Sequence, residues 1–244
     1  MVRGIDIASQ GMIPLMEKQD QIANNLANMN TTGYKASGLF LKTYQKYLEN
    51  DQQQPDAVGS ITADAVNIDY SEGPMAQTGS PLDLTIKGSG FFTVMTEDGP
   101  EYTRNGNFSL DPQGQIVTSD GSKVLGKDGF LKVDPRYPVA VNENGEVVQQ
   151  GQVRGMLRIS DFQKPYAMTR CGESRFKPVD ETATEQTSTG YVVKEGYLET
   201  SNVSAVRNMV EMISSYRNFE ADQKAVQAQD QTLEMAVTQV GKLS

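Results

Sequence analysis

The sequence predicts an α+β protein: a discontinuous, coiled-coil-like helical domain made from both chain ends, with a mostly antiparallel β domain inserted between them. Three observations predict it. Apolar residues recur at alternating steps of three and four at each end, and the middle of the 244-residue chain changes to short β-type runs broken by glycine turns. Two polar stretches, residues 50–60 and 180–189, are poor in apolar residues and read as connections. The expected divisions are 1–36 for the N-terminal helix, 37–74 for an extended connector, 75–195 for the β domain and 196–244 for the C-terminal helix.

In the first segment Ile5, Ala8, Met12, Leu15, Gln19, Ile22, Leu26 and Met29 follow the seam spacing of a coiled coil, and only Gln19 is polar. The helix should end between Asn28 and Gly33. Pro14 lacks a backbone donor and predicts a kink or the true first turn. The last segment repeats the pattern with Met209, Met212, Tyr216, Phe219, Gln223, Val226, Asp230, Leu233, Val237 and Val240. Ser201, Asn202 or Ser204 can cap its first free amides. Gln223 and Asp230 interrupt the seam, as residues that fix register do.

Between the ends, Leu82-Asp83-Leu84-Thr85-Ile86, Phe91-Phe92-Thr93-Val94-Met95, Gln115-Ile116-Val117-Thr118, Gly155-Met156-Leu157-Arg158-Ile159 and Tyr191-Val192-Val193 read as strands. Asp98-Gly99, Asn105-Gly106, Asp120-Gly121, Asp128-Gly129 and Asn144-Gly145 read as turns.

Composition removes most chemistry. The chain has no histidine and one cysteine, Cys171, which excludes imidazole metal sites, Cys-His nucleophilic pairs and intramolecular disulfides. Acid–base catalysis needs groups converging in a pocket, and no such constellation is present, so neither enzyme activity nor a cofactor is expected. The net charge of −9 falls almost wholly on the middle, because residues 1–35 balance and residues 201–244 carry −1. Without a basic stripe no nucleic-acid partner is expected. No run approaches the roughly 20 apolar residues of a membrane-spanning helix, so no membrane insertion is expected. Residues 1–12, with Arg3 and Asp6, lack the features of a cleavable signal peptide.

Three polar motifs have ordinary structural readings. Gly88-Ser89-Gly90 lacks the third glycine of a phosphate-binding fingerprint and reads as a turn. Asp111-Pro112-Gln113-Gly114 and Asp120-Gly121 lack the spacing of a calcium loop. Thr103-Arg104-Asn105-Gly106 reads, in isolation, as a solvated hairpin.

Specific residues go further than pattern. The run Ile22-Ala23-Asn24-Asn25-Leu26-Ala27-Asn28-Met29-Asn30-Thr31-Thr32-Gly33-Tyr34-Lys35 closely resembles the N-terminal signature of flagellar basal-body rod and hook proteins. The run Glu195-Gly196-Tyr197-Leu198-Glu199-Thr200-Ser201-Asn202-Val203-Ser204, with Met209-Val210-Glu211-Met212-Ile213 and Tyr216-Arg217-Asn218-Phe219-Glu220, resembles the matching C-terminal signature. Gly79-Ser80-Pro81-Leu82-Asp83-Leu84, Gly88-Ser89-Gly90-Phe91-Phe92-Thr93-Val94 and Tyr102-Thr103-Arg104-Asn105-Gly106-Asn107-Phe108 resemble the core of the family's β domain.

The resemblance implies a structural subunit whose end helices pack around the axis of a hollow drive shaft, with the β domain outside. It implies copies of the chain and other rod proteins as partners, the flagellar type III apparatus as the export route, and a place in the periplasmic rod. Within the family the short segment from Tyr44 to Gly73 favours the proximal rod type over the distal type, with a hook subunit third. A secreted adhesin or translocator with coiled-coil ends is the alternative outside the family. The residues expected to pack between subunits are Ile5, Met12, Leu15, Ile22, Leu26, Met29, Met209, Met212, Tyr216, Phe219, Val226, Leu233, Val237 and Val240.

Overall fold

The computed structural model describes residues 2–45, 59–172, 174–180 and 184–241, with side chains described there except at 2–10, 40–45, 59–66, 236–237 and 239–241. In chain order these residues form α1 (Val2–Ala27), β1 (Ser37–Gln45), β2 (Gly59–Ile68), β3 (Met75–Gln77), β4 (Leu84–Lys87), β5 (Phe91–Thr96), β6 (Gly99–Thr103) and β7 (Phe108–Leu110). There follow β8 (Ile116–Thr118), β9 (Lys123–Gly126), β10 (Gly129–Phe130), β11 (Val139–Val141), β12 (Glu146–Gln149), β13 (Gln152–Met156) and β14 (Ile159–Asp161). The chain ends with β15 (Met168–Cys171), β16 (Arg175–Pro178), β17 (Gln186–Thr187), β18 (Val192–Glu195), β19 (Tyr197–Glu199) and α2 (Ala205–Gly241). The protein is therefore mixed α+β with a large antiparallel β content.

The elements form two compact units. A helical unit holds Met1–Ala27, Ala36–Asp69 and Ser204–Ser244; a β unit holds Asn28–Lys35 and Tyr70–Val203. The N-terminal run that reads as one signature is thus shared between units, with residues 28–35 belonging to the β unit.

In the helical unit α1 and α2 pack antiparallel. Asn25 Nδ2 lies 3.5 Å from Asn208 Oδ1, Ser215 Oγ lies 3.5 Å from the Leu15 carbonyl, and a carbon added to Gly11 would sit 3.9 Å from Asp222 Oδ2. Helix α1 ends where the asparagine-rich run begins. It passes through Pro14, which is buried inside the helix and not in its first turn. Ser204 caps α2, its hydroxyl accepting from the Arg207 amide at 3.5 Å. The segment read as an extended connector, 37–74, instead contributes a hairpin: β1 pairs antiparallel with β2 from Ser37 opposite Ile68 to Gln45 opposite Gly59. Most of the stretch 50–60 lies outside the described residues, as do 181–183 of the stretch 180–189.

In the β unit the largest sheet has the order β15-β16-β6-β5-β9-β8-β7, with β10 on β9, β14 on β5 and β17 on β14. Separate pairings join β11-β12-β13, β18-β4 and β19-β3. Apolar residues from these pieces share one core, among them Leu84, Ile86, Phe92, Val94, Leu157 and Val193. The run Gly155 to Ile159 is not one strand. The Leu157 amide donates to the Gly145 carbonyl and the Arg158 amide to that of Leu125, so the backbone leaves β12 and then joins β5 through β14.

Candidate functional site

The sequence motifs from the two ends and the centre converge in the β unit on one carboxylate, Glu199. Lys35 Nζ donates to Glu199 Oε1 at 2.5 Å and to the Ser71 carbonyl at 2.6 Å. Arg104 Nη1 lies 3.4 Å from Glu199 Oε2 and donates to the Ile86 carbonyl at 3.0 Å, while Nη2 donates to the Gly88 carbonyl at 2.7 Å. The Gly73 amide donates to Glu199 Oε1 at 3.0 Å, and the Gly33 amide to the Glu199 carbonyl at 2.8 Å. Lys35 and Glu199 are each 1% exposed and Arg104 is 4% exposed. Charges this dry persist only when paired and hydrogen-bonded.

Two glycines make room for this arrangement. Gly33 has φ +69°, and a side-chain carbon there would meet the Asn105 nitrogen at 2.3 Å. At Gly73 such a carbon would meet the Thr200 carbonyl oxygen at 2.0 Å. The reading of Thr103-Arg104-Asn105-Gly106 as a solvated hairpin is therefore corrected: Thr103 and Arg104 are buried, and Asn105 Oδ1 accepts from Thr32 Oγ1 at 2.9 Å.

An aromatic cluster adjoins the ion group. Tyr70, Phe91, Tyr166 and Phe176 meet edge to face, with Tyr70 4.9 Å from Tyr166 and Phe91 5.5 Å from Tyr166 between centroids. The Arg104 guanidinium lies 5.3 Å from the Phe91 centroid, and that of Arg170 lies 4.2 Å from the Tyr34 centroid. Burial pushes the Tyr70 hydroxyl up to about 12. Further along the unit, Glu185 accepts from Arg158 Nε at 2.8 Å and from the Ser160 hydroxyl. Burial alone would raise the Glu185 carboxyl, but hydrogen bonds from Arg158 and Ser160 and the Arg158 charge together hold it below its ordinary value.

In the helical unit, a second polar knot closes the helix pair. Asn25 Nδ2 donates to the Ser37 carbonyl at 2.7 Å, its Oδ1 accepts from the Ser37 amide at 3.0 Å, and Asn208 Nδ2 donates to the Ser204 carbonyl at 2.9 Å. Of the residues expected between subunits, Ile22 is buried, and Met12, Leu15, Leu26, Met212, Phe219, Val226 and Leu233 are half-buried. Met29, Met209 and Tyr216 are exposed, and the side chains of Ile5, Val237 and Val240 lie outside the described residues. The inward row of α2 runs through 205, 208, 212, 215, 219, 222, 226, 229 and 233. The expected seam shares 212, 219, 226 and 233 but is offset by one residue at 209, 216, 223 and 230. The offset leaves Val206, Met209, Val210, Ile213 and Tyr216 as an apolar row facing out, with Ile213 56% and Tyr216 62% exposed.

Sequence reasoning quoted Lys35, Arg104 and Glu199 within motifs but gave them no role. Their signal is a charged residue set among glycine and apolar neighbours in a signature run. Among the described residues no group of His, Cys, Asp and Glu is placed to hold a metal ion, and no helix is long and apolar enough to cross a membrane. Of the fourteen expected packing residues, thirteen fall on α1 and α2, and Met29 lies beyond the end of α1 in the β unit.

A β unit whose buried charges bond to one another, carried with helices that leave an apolar row uncovered, defines the class of a structural building block. Three family models match: Flagella basal body rod protein over residues 5–35, Flagellar hook protein FlgE/F/G D1 domain over 85–153, and Flagellar basal body rod FlgEFG protein C-terminal over 194–239. The chain is 33% identical over 236 residues to the flagellar basal-body rod protein FlgF of Caulobacter vibrioides, covering 94% of each. It is 32% identical over 259 residues to FlgG of Borreliella burgdorferi, covering 97% of this chain and 98% of the relative. With the flagellar hook-basal body complex protein FlhO of Bacillus subtilis it shares 26% identity over the full length of both. The chain belongs to the flagellar basal-body rod protein family, of FlgF-like type.

Proposed function

We propose that this chain is a structural subunit of the proximal flagellar rod that polymerises through its end helices into the hollow shaft transmitting torque from motor to hook. The observation that carries the reading is the outward apolar row Val206, Met209, Val210, Ile213 and Tyr216 on a helix whose opposite row already packs on α1. Rows of this kind on both sides of one helix suit coiled-coil-like packing against α1 within the chain and against neighbouring copies outside it. The inward row continues to Leu233. In this reading, segments 1–36 and 196–244 supply the polymerising element, and 75–195 supplies the outer β domain. The hairpin within 37–74 travels with the helices. Copies of the chain and other rod proteins are the partners, and the flagellar type III apparatus exports it to the periplasmic rod.

Aspartate at Ile213 or Tyr216 tests the reading. Either position is more than half exposed, so folding of the free chain should change by less than about 0.5 kcal/mol. In a dry interface the new carboxylate costs several kcal/mol, on the order of 3, and incorporation into basal bodies should be lost. Normal incorporation of both variants refutes this interface. The FlgG relative, at 32% identity, favours a second reading as distal rod subunit. Cryo-electron microscopy of purified basal bodies, with mass spectrometry of the rod, separates the two by the position of the density.

A further inference from the structure

Several cations of the β unit are paired within it: Lys35 and Arg104 face Glu199, Arg158 faces Glu185, and Arg175 and Lys177 face Glu101. Lys127, Lys132 and Arg154 are exposed and make no ion pair among the described residues, and nor do the exposed Glu97 and Asp98. Strand β9 separates these two unpaired groups. At its start Lys123 lies opposite Met95 and Val117, which sets the β5–β6 turn, Glu97-Asp98, beside the β8–β9 turn that carries Asp120. Arg175 is committed there to Asp120 at 2.8 Å and Glu101 at 3.1 Å, and Lys123 Nζ lies 5.3 Å from the Phe130 centroid.

At the other end of β9, Gly126 opens the tight turn Lys127-Asp128 into β10, and the Lys127 amide donates to the Met156 carbonyl at 2.9 Å. That bond holds β13, the edge of its three-stranded sheet and the carrier of Arg154, against the turn. Lys132 lies opposite Gln115, just before β8 and so away from the acidic turns. Asp134 is taken up by Arg136 at 2.6 Å. Their loop is fixed by the buried Gln149, whose Oε1 accepts from the Asp134 amide at 3.0 Å and whose Nε2 donates to the Asp134 and Tyr137 carbonyls at 2.7 and 3.1 Å. Three free cations against Asp128, with Tyr137 42% and Val153 59% exposed beside them, make a fixed basic corner of the cation and aromatic types that interfaces favour.

Copies of a chain with net charge −9 repel one another unless opposite charges meet where they touch. A basic corner and a pair of acidic turns at opposite ends of one short strand give each copy a face of each sign. Such faces match head to tail, the acidic turns of one copy covering the basic corner of the next. We propose that Lys127, Lys132 and Arg154, with Tyr137 and Val153 beside them, form a docking surface for Glu97 and Asp98 of a second copy of this chain. The contact rests on the reading of the chain as a polymerising subunit and adds a β-unit interface to the one through the end helices.

Charge exchange in the full chain tests it, with incorporation read by quantitative mass spectrometry of purified basal bodies. One variant combines Lys127→Glu, Lys132→Glu and Arg154→Glu, a second combines Glu97→Lys and Asp98→Lys, and a third carries all of these changes. Every position is exposed, so the free chains should fold as the parent does. Either partial reversal should lower incorporation roughly tenfold or more, because like charges then meet across the contact, and the full exchange should restore it to about half of the parent or better. Near-parent incorporation of either partial reversal, or no recovery in the full exchange, overturns the contact. Loss from the basic reversal alone, with Glu97 and Asp98 dispensable, overturns it too and assigns the corner to a different anionic partner. Should a reversal fail to fold, Asp98→Cys with Lys132→Cys in a Cys171→Ser chain decides the question: oxidised basal bodies should yield disulfide-linked chains, and their absence overturns the contact. Ile213→Asp reads the helix interface separately, so either interface can fail while the other stands.

Discussion

Replacing Lys35 with methionine isolates what the buried carboxylate needs. Methionine retains most of the aliphatic stem, so little volume is lost while the ammonium disappears. Glu199 then remains 1% exposed with the Gly73 amide at 3.0 Å and Arg104 at 3.4 Å as its remaining partners at the carboxylate. Removing one member of a buried ion pair costs about 3–5 kcal/mol because the other is left uncompensated. The surviving guanidinium, although long at 3.4 Å, places Lys35→Met at the lower end, about 3 kcal/mol. For a domain of this size each kcal/mol moves the midpoint by roughly 2–4 °C, so the β unit should melt roughly 6–12 °C lower. Calorimetry, with near-ultraviolet circular dichroism of the tyrosine cluster as a second probe, reads the shift. Adding Glu199→Gln to Lys35→Met should recover part of the loss, since the orphaned charge goes with it. A midpoint within about 2 °C of the parent would mean that water or Arg104 already satisfies the carboxylate, and the reasoning from burial would fail.

Gly33→Ala should destabilise by more than about 3 kcal/mol, because a left-handed backbone costs a non-glycine residue roughly 1–2 kcal/mol and the added carbon overlaps the Asn105 backbone. Gly79→Ala is the control, with φ +75° and nothing within 4 Å of the added carbon, so urea midpoints of the two separate strain from overlap. Glu185 predicts a local acid transition. Its folded carboxyl is held below the unfolded value of about 4.3, so its contribution is present above that pH and is lost as pH falls through the lower folded value. Amide exchange at 186–187, which pair with β14, should accelerate as pH is lowered below about 4, beyond the intrinsic pH dependence of exchange, and Arg158→Met should flatten the effect. An unchanged protection profile down to pH 3 removes Glu185 from this role.

Helix extents were legible because periodicity reports on long segments, and both end helices lie where apolar residues recur at steps of three and four. The facing of α2 was not. Periodicity assumes that the most apolar row turns inward, whereas Asn208, Ser215, Asp222 and Gln229 occupy the inner row and Ile213 and Tyr216 the outer one. Asn208 turns in because Asn25 offers it a partner, which only the packed pair reveals. Lys35, Arg104 and Glu199 were hidden by a similar default. A charge in a pattern is assigned to solvent, and nothing in a single sequence pairs position 35 with position 199. The strands β1 and β2 were read as connector because the glutamine-rich stretch between them breaks the alternation that marks a hairpin.

The positions of these residues separate two jobs that the end motifs appear to combine when read as strings. Asn25, Gly33, Lys35 and Glu199 all spend their polar groups inside the chain, closing the helix pair in one unit and the ion group in the other. None of them offers an uncovered apolar surface. The surface that does, from Val206 to Tyr216, stands exposed among the described residues, and keeping such a row wet costs on the order of 25 cal/mol for each Å² left uncovered. A row retained at that cost has a partner, while a motif satisfied internally does not need one. Defects in the first set should therefore appear as lost folding of the free chain, and defects in the second as a folded chain that fails to join its neighbours.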